Sequence, residues 1–199
     1  MIVPTKQKIL DAAERLIAEQ GYAATSLRQI IAGAGVNLAA VHYHFGSKDE
    51  LLSSVIERKV GPVNEKRLAL LTEYEAEAKG APVPVEKIFD AFLTPMGKVA
   101  GTHPQFVRVM GRVVAEGMLR TVLEKNFPEV QARFFGALRR SAPKMSDEEF
   151  EARIQFMIGV VSHTMTMCGP ASEGGFEARV ERMIRFLSGG FLTPEGGRK

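Results

Sequence analysis

The 199-residue sequence holds one cysteine, Cys168, and no tryptophan. A lone thiol excludes an internal disulfide framework, so burial alone must hold the fold, and a reducing compartment suits it. No basic-then-apolar segment with a small-residue cleavage site opens the chain, which points to the cytoplasm. The most apolar uncharged run, Gln155 to Ser172, contains Gln, Ser, His, Thr, Gly and Pro. It is too short and polar to cross a bilayer, so no membrane partner is expected. Sustained alternation of apolar and polar residues is missing as well, which argues against strands. Acidic residues, 23 in all, are absent between Gln20 and Lys48, whereas Arg28, His42, His44 and Lys48 lie inside that window. Such a segment suits a polyanion, although a small-residue region that merely lacks acids reads the same way by charge alone. The overall charge of +3 and pI near 9.1 decide nothing, because many enzymes share them.

What is present is helix-forming. With 45% hydrophobic residues the chain can bury a core. Ile9, Leu10, Ala13, Leu16 and Ile17 fall on one helical face and Gly21 stops that helix. Thr25 and Ser26 can cap a short second helix that turns Leu27, Ile30 and Ile31 inward and Arg28 and Gln29 outward. Gly33 and Gly35 interrupt it, and Asn37 then caps a third helix that ends at Gly46. Ser47-Lys48-Asp49-Glu50 has the spacing of a capping box at the start of a longer fourth helix. Gly61-Pro62 predicts a kink or break there, with helix resuming from Val63 to Gly80. Further helices are expected at about 85–100, 104–120, 121–141, 146–168 and 176–190, which makes about nine in an all-α fold. The shift in composition places the domain boundary near residue 60, dividing 1–60 from 61–199.

Three helices with a tight Ala34-Gly35-Val36 turn between the second and third meet the needs of a helix-turn-helix. Its third helix must be slim enough for a major groove about 12 Å wide. Leu38, Ala39 and Ala40 open that helix, and alanine lets the backbone approach base edges closely. Val41 and Phe45, four apart, face inward, which leaves His42, Tyr43 and His44 for the duplex or its flanks. A metal role for His42 and His44 is disfavoured, because a spacing of two puts them on different helix faces with no Cys, Asp or Glu nearby.

Thr25-Ser26-Leu27-Arg28-Gln29-Ile30-Ile31, Ala34-Gly35-Val36-Asn37 and Val41-His42-Tyr43-His44-Phe45-Gly46-Ser47-Lys48-Asp49-Glu50-Leu51-Leu52 resemble, in that order and spacing, the DNA-binding domain of the TetR family of regulators. One position departs from the family: His42 stands where a phosphate-contacting tyrosine is usual, with Tyr43 one place later. The resemblance implies a homodimer on double-stranded operator DNA. It implies that Thr25, Ser26, His44 and Lys48 touch phosphates and that Arg28, Leu38, Ala39 and Tyr43 approach base edges, with Asn37, Ala40 and His42 beside them. Thr25 and Ser26 also read as simple helix caps, and Lys48 as a surface residue of a first turn.

The rest of the chain has a softer apolar chemistry: 11 of 12 Phe and 8 of 9 Met lie after residue 88. Met fills irregular space, which suits a cavity for flexible apolar guests. Phe89, Phe92 and Met96, then Phe106, Met110 and Val113, then Met157 and Val161 form apolar faces expected to line such a pocket, and ordinary core packing explains each one singly. His163 reads either as a ligand-orienting group or as a buried histidine bonded to a backbone carbonyl. Arg108, Arg112 and Glu116 read as a solvated stripe. By the resemblance, the last two helices form the dimer, through Phe156, Val160, Phe176, Met183, Phe186 and Leu187. The C-terminal region is also similar to fatty-acid and acyl-CoA regulators of the family, which implies an amphipathic effector of that kind. No cofactor is expected. Cys168 and His163, five apart, are poorly placed as a nucleophile and base, so an enzyme is disfavoured. A ligand-independent regulator of the same fold remains the alternative.

Overall fold

The computed structural model describes residues 3–167 and 175–194. Among them are ten α-helices and no strand: α1 (Thr5–Gln20), α2 (Leu27–Ala34), α3 (Leu38–Phe45), α4 (Lys48–Glu77), α5 (Val85–Thr102), α6 (Pro104–Ala115), α7 (Leu119–Asn126), α8 (Pro128–Ser141), α9 (Asp147–Met167) and α10 (Gly175–Leu192). The all-α expectation holds. The count exceeds nine because the segment 121–141 is two helices. Pro128 cannot donate into a preceding helix and instead opens α8 at its first position. Cys168 lies outside the described residues.

Gly61-Pro62 does not break the chain's longest helix. Pro62 sits inside α4, and the bond it deletes costs about 3 kcal/mol. That cost is carried by burial on both sides: Leu51, Leu52, Val55 and Ile56 before the proline, Val63 and Leu71 after it.

The helices gather into two compact units whose boundary differs from the expected division near residue 60. One takes the chain to Pro62 together with His103–Asn126, and the other takes Val63–Thr102 together with the chain from Phe127 onward. In the first unit, α1 packs on α2, α3 and α6. Its core holds Ile9, Ala13 and Ile17 of α1, Ile30 of α2, Val41 and Phe45 of α3, and Phe106, Val109 and Val113 of α6. Each large apolar side chain so buried contributes roughly 1.5–3 kcal/mol. Phe106 and Val113, expected to line a ligand pocket, are therefore part of the core beneath the helix-turn-helix, and Met110 beside them is half-buried. An apolar stripe has the same spacing whether a ligand or another helix covers it.

In the second unit, α5 lies along α10 and also meets α8. Gly97 permits the close approach of α5 to α10, since a Cβ there would stand 2.8 Å from Val180 Cγ2 and 3.6 Å from Phe176 Cδ1. Aromatic edges lock the interior: Phe89 on Phe191 and Phe150 on Phe191, both at 5.9 Å between centroids, and Phe92 on Phe134 at 5.1 Å. Met183 and Leu187, expected at a dimer interface, are instead buried on the inner face of α10 with Val180 and Ile184. Among the described residues no helix is long and apolar enough to cross a membrane.

Candidate nucleic-acid interface

The loop from α1 to α2 is built by glycine and hydrogen bonding. Gly21 ends α1 at φ 90° and donates its N–H to Ile17 O at 2.9 Å. Thr25, only 1% exposed, donates its hydroxyl back to Gly21 O at 2.6 Å and accepts from Gln20 Nε2 at 3.2 Å. Its side chain thus holds the corner from within. Ser26 and Gln29 form a reciprocal capping box on α2. Gln29 N donates to Ser26 Oγ at 3.2 Å and Ser26 N donates to Gln29 Oε1 at 2.7 Å.

The turn between α2 and α3 has the geometry its glycine allows. Gly35 adopts φ 63°, ψ 40°, its N–H reaches Ala32 O, and Val36 N donates to Ile31 O at 3.2 Å. Asn37 Oδ1 then accepts from Ala40 N at 2.9 Å, which caps α3. At the far end Gly46, at φ 72°, donates to His42 O at 3.0 Å, and the His42 ring Nδ1 lies 2.9 Å from Gly46 O. Asn37 and His42 therefore spend polar groups on holding α3 in shape.

With Val41 and Phe45 buried, the opposite face of α3 is presented outward. Leu38 is 52% and Tyr43 85% exposed; Asn37, Ala39 and His42 are exposed, while Ala40 and His44 are half-buried. His44 stacks edgewise on Tyr43 at 5.1 Å. Ser26 and Arg28 are exposed at the start of α2. Lys48 is half-buried and already engaged: its Nζ donates to Tyr22 O at 2.6 Å and lies 4.0 Å from the centroid of the Tyr22 ring. The expected full capping box at Ser47 is only half formed. Ser47 Oγ accepts from Glu50 N at 3.1 Å, but the Glu50 carboxylate pairs with Lys125 Nζ at 2.6 Å.

The stripe on α6 proves to be a brace. Glu116 accepts from the backbone N–H groups of Tyr22 and Ala23 at 2.8 and 2.9 Å, and Arg112 Nη2 donates to Glu19 O at 3.0 Å. A Cβ at Gly21 would lie 2.5 Å from Glu116 Oε1, so that glycine serves both the turn and the carboxylate's approach. Arg108, Arg112 and Glu116 are all exposed, so the last two make these bonds from the surface. Burial and a hydrogen bond to Asp49 also push the Tyr22 phenol well above its ordinary pKa. Among the described residues no group of three or more His, Cys, Asp or Glu gathers as a metal site would require.

Two helices joined by a tight turn, the second with an uncharged exposed face and both capped by their own side chains, form a helix-turn-helix. Residues 9–55 match the family model for bacterial regulatory proteins of the tetR family, and residues 90–190 match that for the tetracyclin repressor-like C-terminal domain. The chain belongs to the TetR family of DNA-binding transcriptional regulators. It is 40% identical over 81 residues to the HTH-type transcriptional regulator AcrR of Shigella flexneri, covering 41% of this chain and 36% of that one. It is 34% identical over 131 residues, 66% of this chain and 57% of the other, to an HTH-type transcriptional repressor of Mycobacterium tuberculosis. The matches thus span well under two thirds of these relatives. A TetR-family regulator from Bordetella parapertussis shares the fold, with a TM-score of 0.67 at 19% identity over 96% of this chain and 98% of that one.

Outside the TetR reading head, the expected sensor residues differ in burial. Phe89 and Met157 are buried core, Phe92, Met96 and Val161 are half-buried, and His163, expected inside, is exposed. Two open clefts, of about 600 Å³ between Lys8, Arg15, Arg58 and Gln105 and about 510 Å³ between Ser141, Lys144, Arg153 and Phe191, include none of these residues. Sequence reasoning missed Gln20, Gln29 and Glu116. Ser26-x-x-Gln29 carries the legible capping-box pattern, but nothing local marks Glu116, which is 94 positions from Tyr22.

Proposed function

We propose that the chain is a homodimeric repressor that binds a near-palindromic operator through α3 and is released by a small amphipathic effector. The supporting observation is the outward face of α3: Leu38, Ala39 and Tyr43 stand exposed on a helix whose own polar ends are already satisfied. Apolar Leu38 and Ala39 suit thymine methyls, the Tyr43 hydroxyl suits a base edge or phosphate, and Arg28 offers a fork for guanine or phosphate. Ser26 and His44 are the proposed phosphate contacts. Lys48 joins them with the N–H donors it does not give to Tyr22 O.

Two copies are required, because half-sites lie roughly 34 Å apart. The proposed dimer face is the outer stripe of α9 and α10. Phe156 and Phe186 are both 68% exposed. Gly159 and His163 share the exposed side of α9 with Phe156, and Gly189 that of α10 with Phe186. Val160 and Phe176, half-buried, flank that stripe. Aromatic knobs beside glycines suit a four-helix bundle. A fatty acid or acyl-CoA is the proposed effector class, with coupling to DNA of about 1–3 kcal/mol. A ligand-independent regulator is favoured instead by the close packing of Phe89, Leu93 and Met157.

The test is selection of bound duplexes from a random pool, followed by titration of the winner with and without acyl compounds. A palindromic consensus bound by a dimer, with affinity falling steeply as salt rises, is the expected result. A monomer with no salt-sensitive affinity for any duplex overturns it.

A further inference from the structure

Arg67 is the anomaly of the second unit. It projects from α4 into the interior and is 6% exposed, yet no carboxylate of the described residues pairs with it. The other buried arginine, Arg153, shows what completion looks like: it pairs with Glu149 at 2.7 Å and donates to Phe191 O at 2.5 Å. Arg67 Nε donates to Phe92 O at 2.7 Å and Nη1 to Asn64 Oδ1 at 2.9 Å. Its Nη2 has only the Met96 sulfur, at 3.3 Å, and a thioether is a weak acceptor. Five N–H donors therefore face two oxygens and one sulfur. The guanidinium carbon stacks 3.9 Å from the Phe92 ring centroid, which partly repays desolvation.

Burial alone pulls this guanidinium down to about 9, with no opposing carboxylate. It is still a cation at neutral pH. Burying such a charge without a counter-ion is costly, and an apolar side chain of similar volume would avoid that cost. The arrangement is one anion short. Met96, half-buried, covers Nη2 and still reaches the surface, and methionine repacks with little resistance.

We propose that Arg67 is the headgroup site for an amphipathic anion, whose carboxylate or phosphate displaces the Met96 thioether and pairs with the Nη1–Nη2 edge, while its apolar chain lies beside Phe92. This deepens the sensor reading and rests on it. It specifies the effector's charge, which neither open cleft and no apolar stripe does. Asn64 fixes the guanidinium for two-pronged pairing.

The test titrates the full chain by calorimetry with dodecanoate, dodecyl phosphate and dodecanol, each below its micellar concentration, and follows operator release separately by fluorescence anisotropy. At least one anion is expected to bind ten-fold or more tightly than the alcohol, and whichever binds better assigns the source as a free carboxylate or a phosphorylated headgroup. Arg67→Met should reduce that anion to the level of dodecanol. Should Arg67→Met fail to fold, Met96→Glu carries the same test: an internal carboxylate beside the cation should raise the melting temperature and abolish the preference for anions. Equal or tighter binding of dodecanol by the unaltered protein, no binding of any of the three, or an anion preference that survives in either folded variant overturns the assignment. Anion binding without operator release leaves the headgroup site standing and removes the sensor reading. Release by dodecanol with no anion preference does the reverse.

Discussion

The α2–α3 reading head and the interior of the second unit handle polar groups in opposite ways. In the head, Thr25, Gln29, Asn37 and His42 hold the turns and helix ends. This frees Arg28, Leu38 and Tyr43 to face outward with a fixed backbone behind them. In the second unit Arg67 is buried among Asn64, Phe92 and Met96 with its charge unanswered. The first arrangement is complete and presents a surface; the second is incomplete and awaits a partner. The difference teaches where recognition is rigid and where it must involve rearrangement.

The largest effect is expected from the proposed dimer face. Phe156→Glu combined with Phe186→Glu leaves the protomer's fold intact, because both rings are exposed. Sedimentation should show monomers, and operator affinity should fall by at least ~10²-fold as avidity is lost. A dimer that survives both changes moves the interface elsewhere.

Next come the outward side chains. Arg28→Ala or Tyr43→Ala should each weaken the selected operator by about 1–3 kcal/mol and relax preference at one base position. Melting temperature should stay within error, since neither side chain supports the fold. Loss of stability together with binding would show that the head is less self-sufficient than its caps imply.

The turn itself is probed by Gly35→Ala. A Cβ there meets nothing within 4 Å, so the penalty comes from φ 63° alone, about 1–2 kcal/mol. Chemical denaturation measures it directly. The smallest effect sharpens the contrast from within: Thr25→Val removes a buried hydroxyl and should cost about 1 kcal/mol of stability. Operator affinity should not change, whereas losing a phosphate contact at this residue would weaken binding to every duplex alike, by about 0.5–1.5 kcal/mol.

Much of the reading head was legible in the chain. Its caps, turn glycine and inward Val41 and Phe45 sit within a few residues of their partners, and local spacing reports local geometry. The Ser26–Gln29 box was equally local and went unread. Glu116, Arg112 and the burial of Phe106 and Val113 were not legible, because each depends on α6 lying against α1. Met183 and Leu187 misled for a related reason: α10 is apolar on two sides, and periodicity does not say which side meets its own chain. Arg67 gives no local signal, since an arginine in the middle of a helix is ordinarily solvated.

The sequence by itself determined that these segments coil, where the helices of the reading head stop and which family they belong to, because helix signals, caps and turn glycines act over one or two turns of chain. Only the tertiary structure decided that Thr25 faces inward, that Glu116 clamps the start of the reading head, and that a cation on α4 is sealed beneath a methionine. Those outcomes depend on which helices meet, and a side chain's partner, unlike its periodicity, is set by residues far away along the chain.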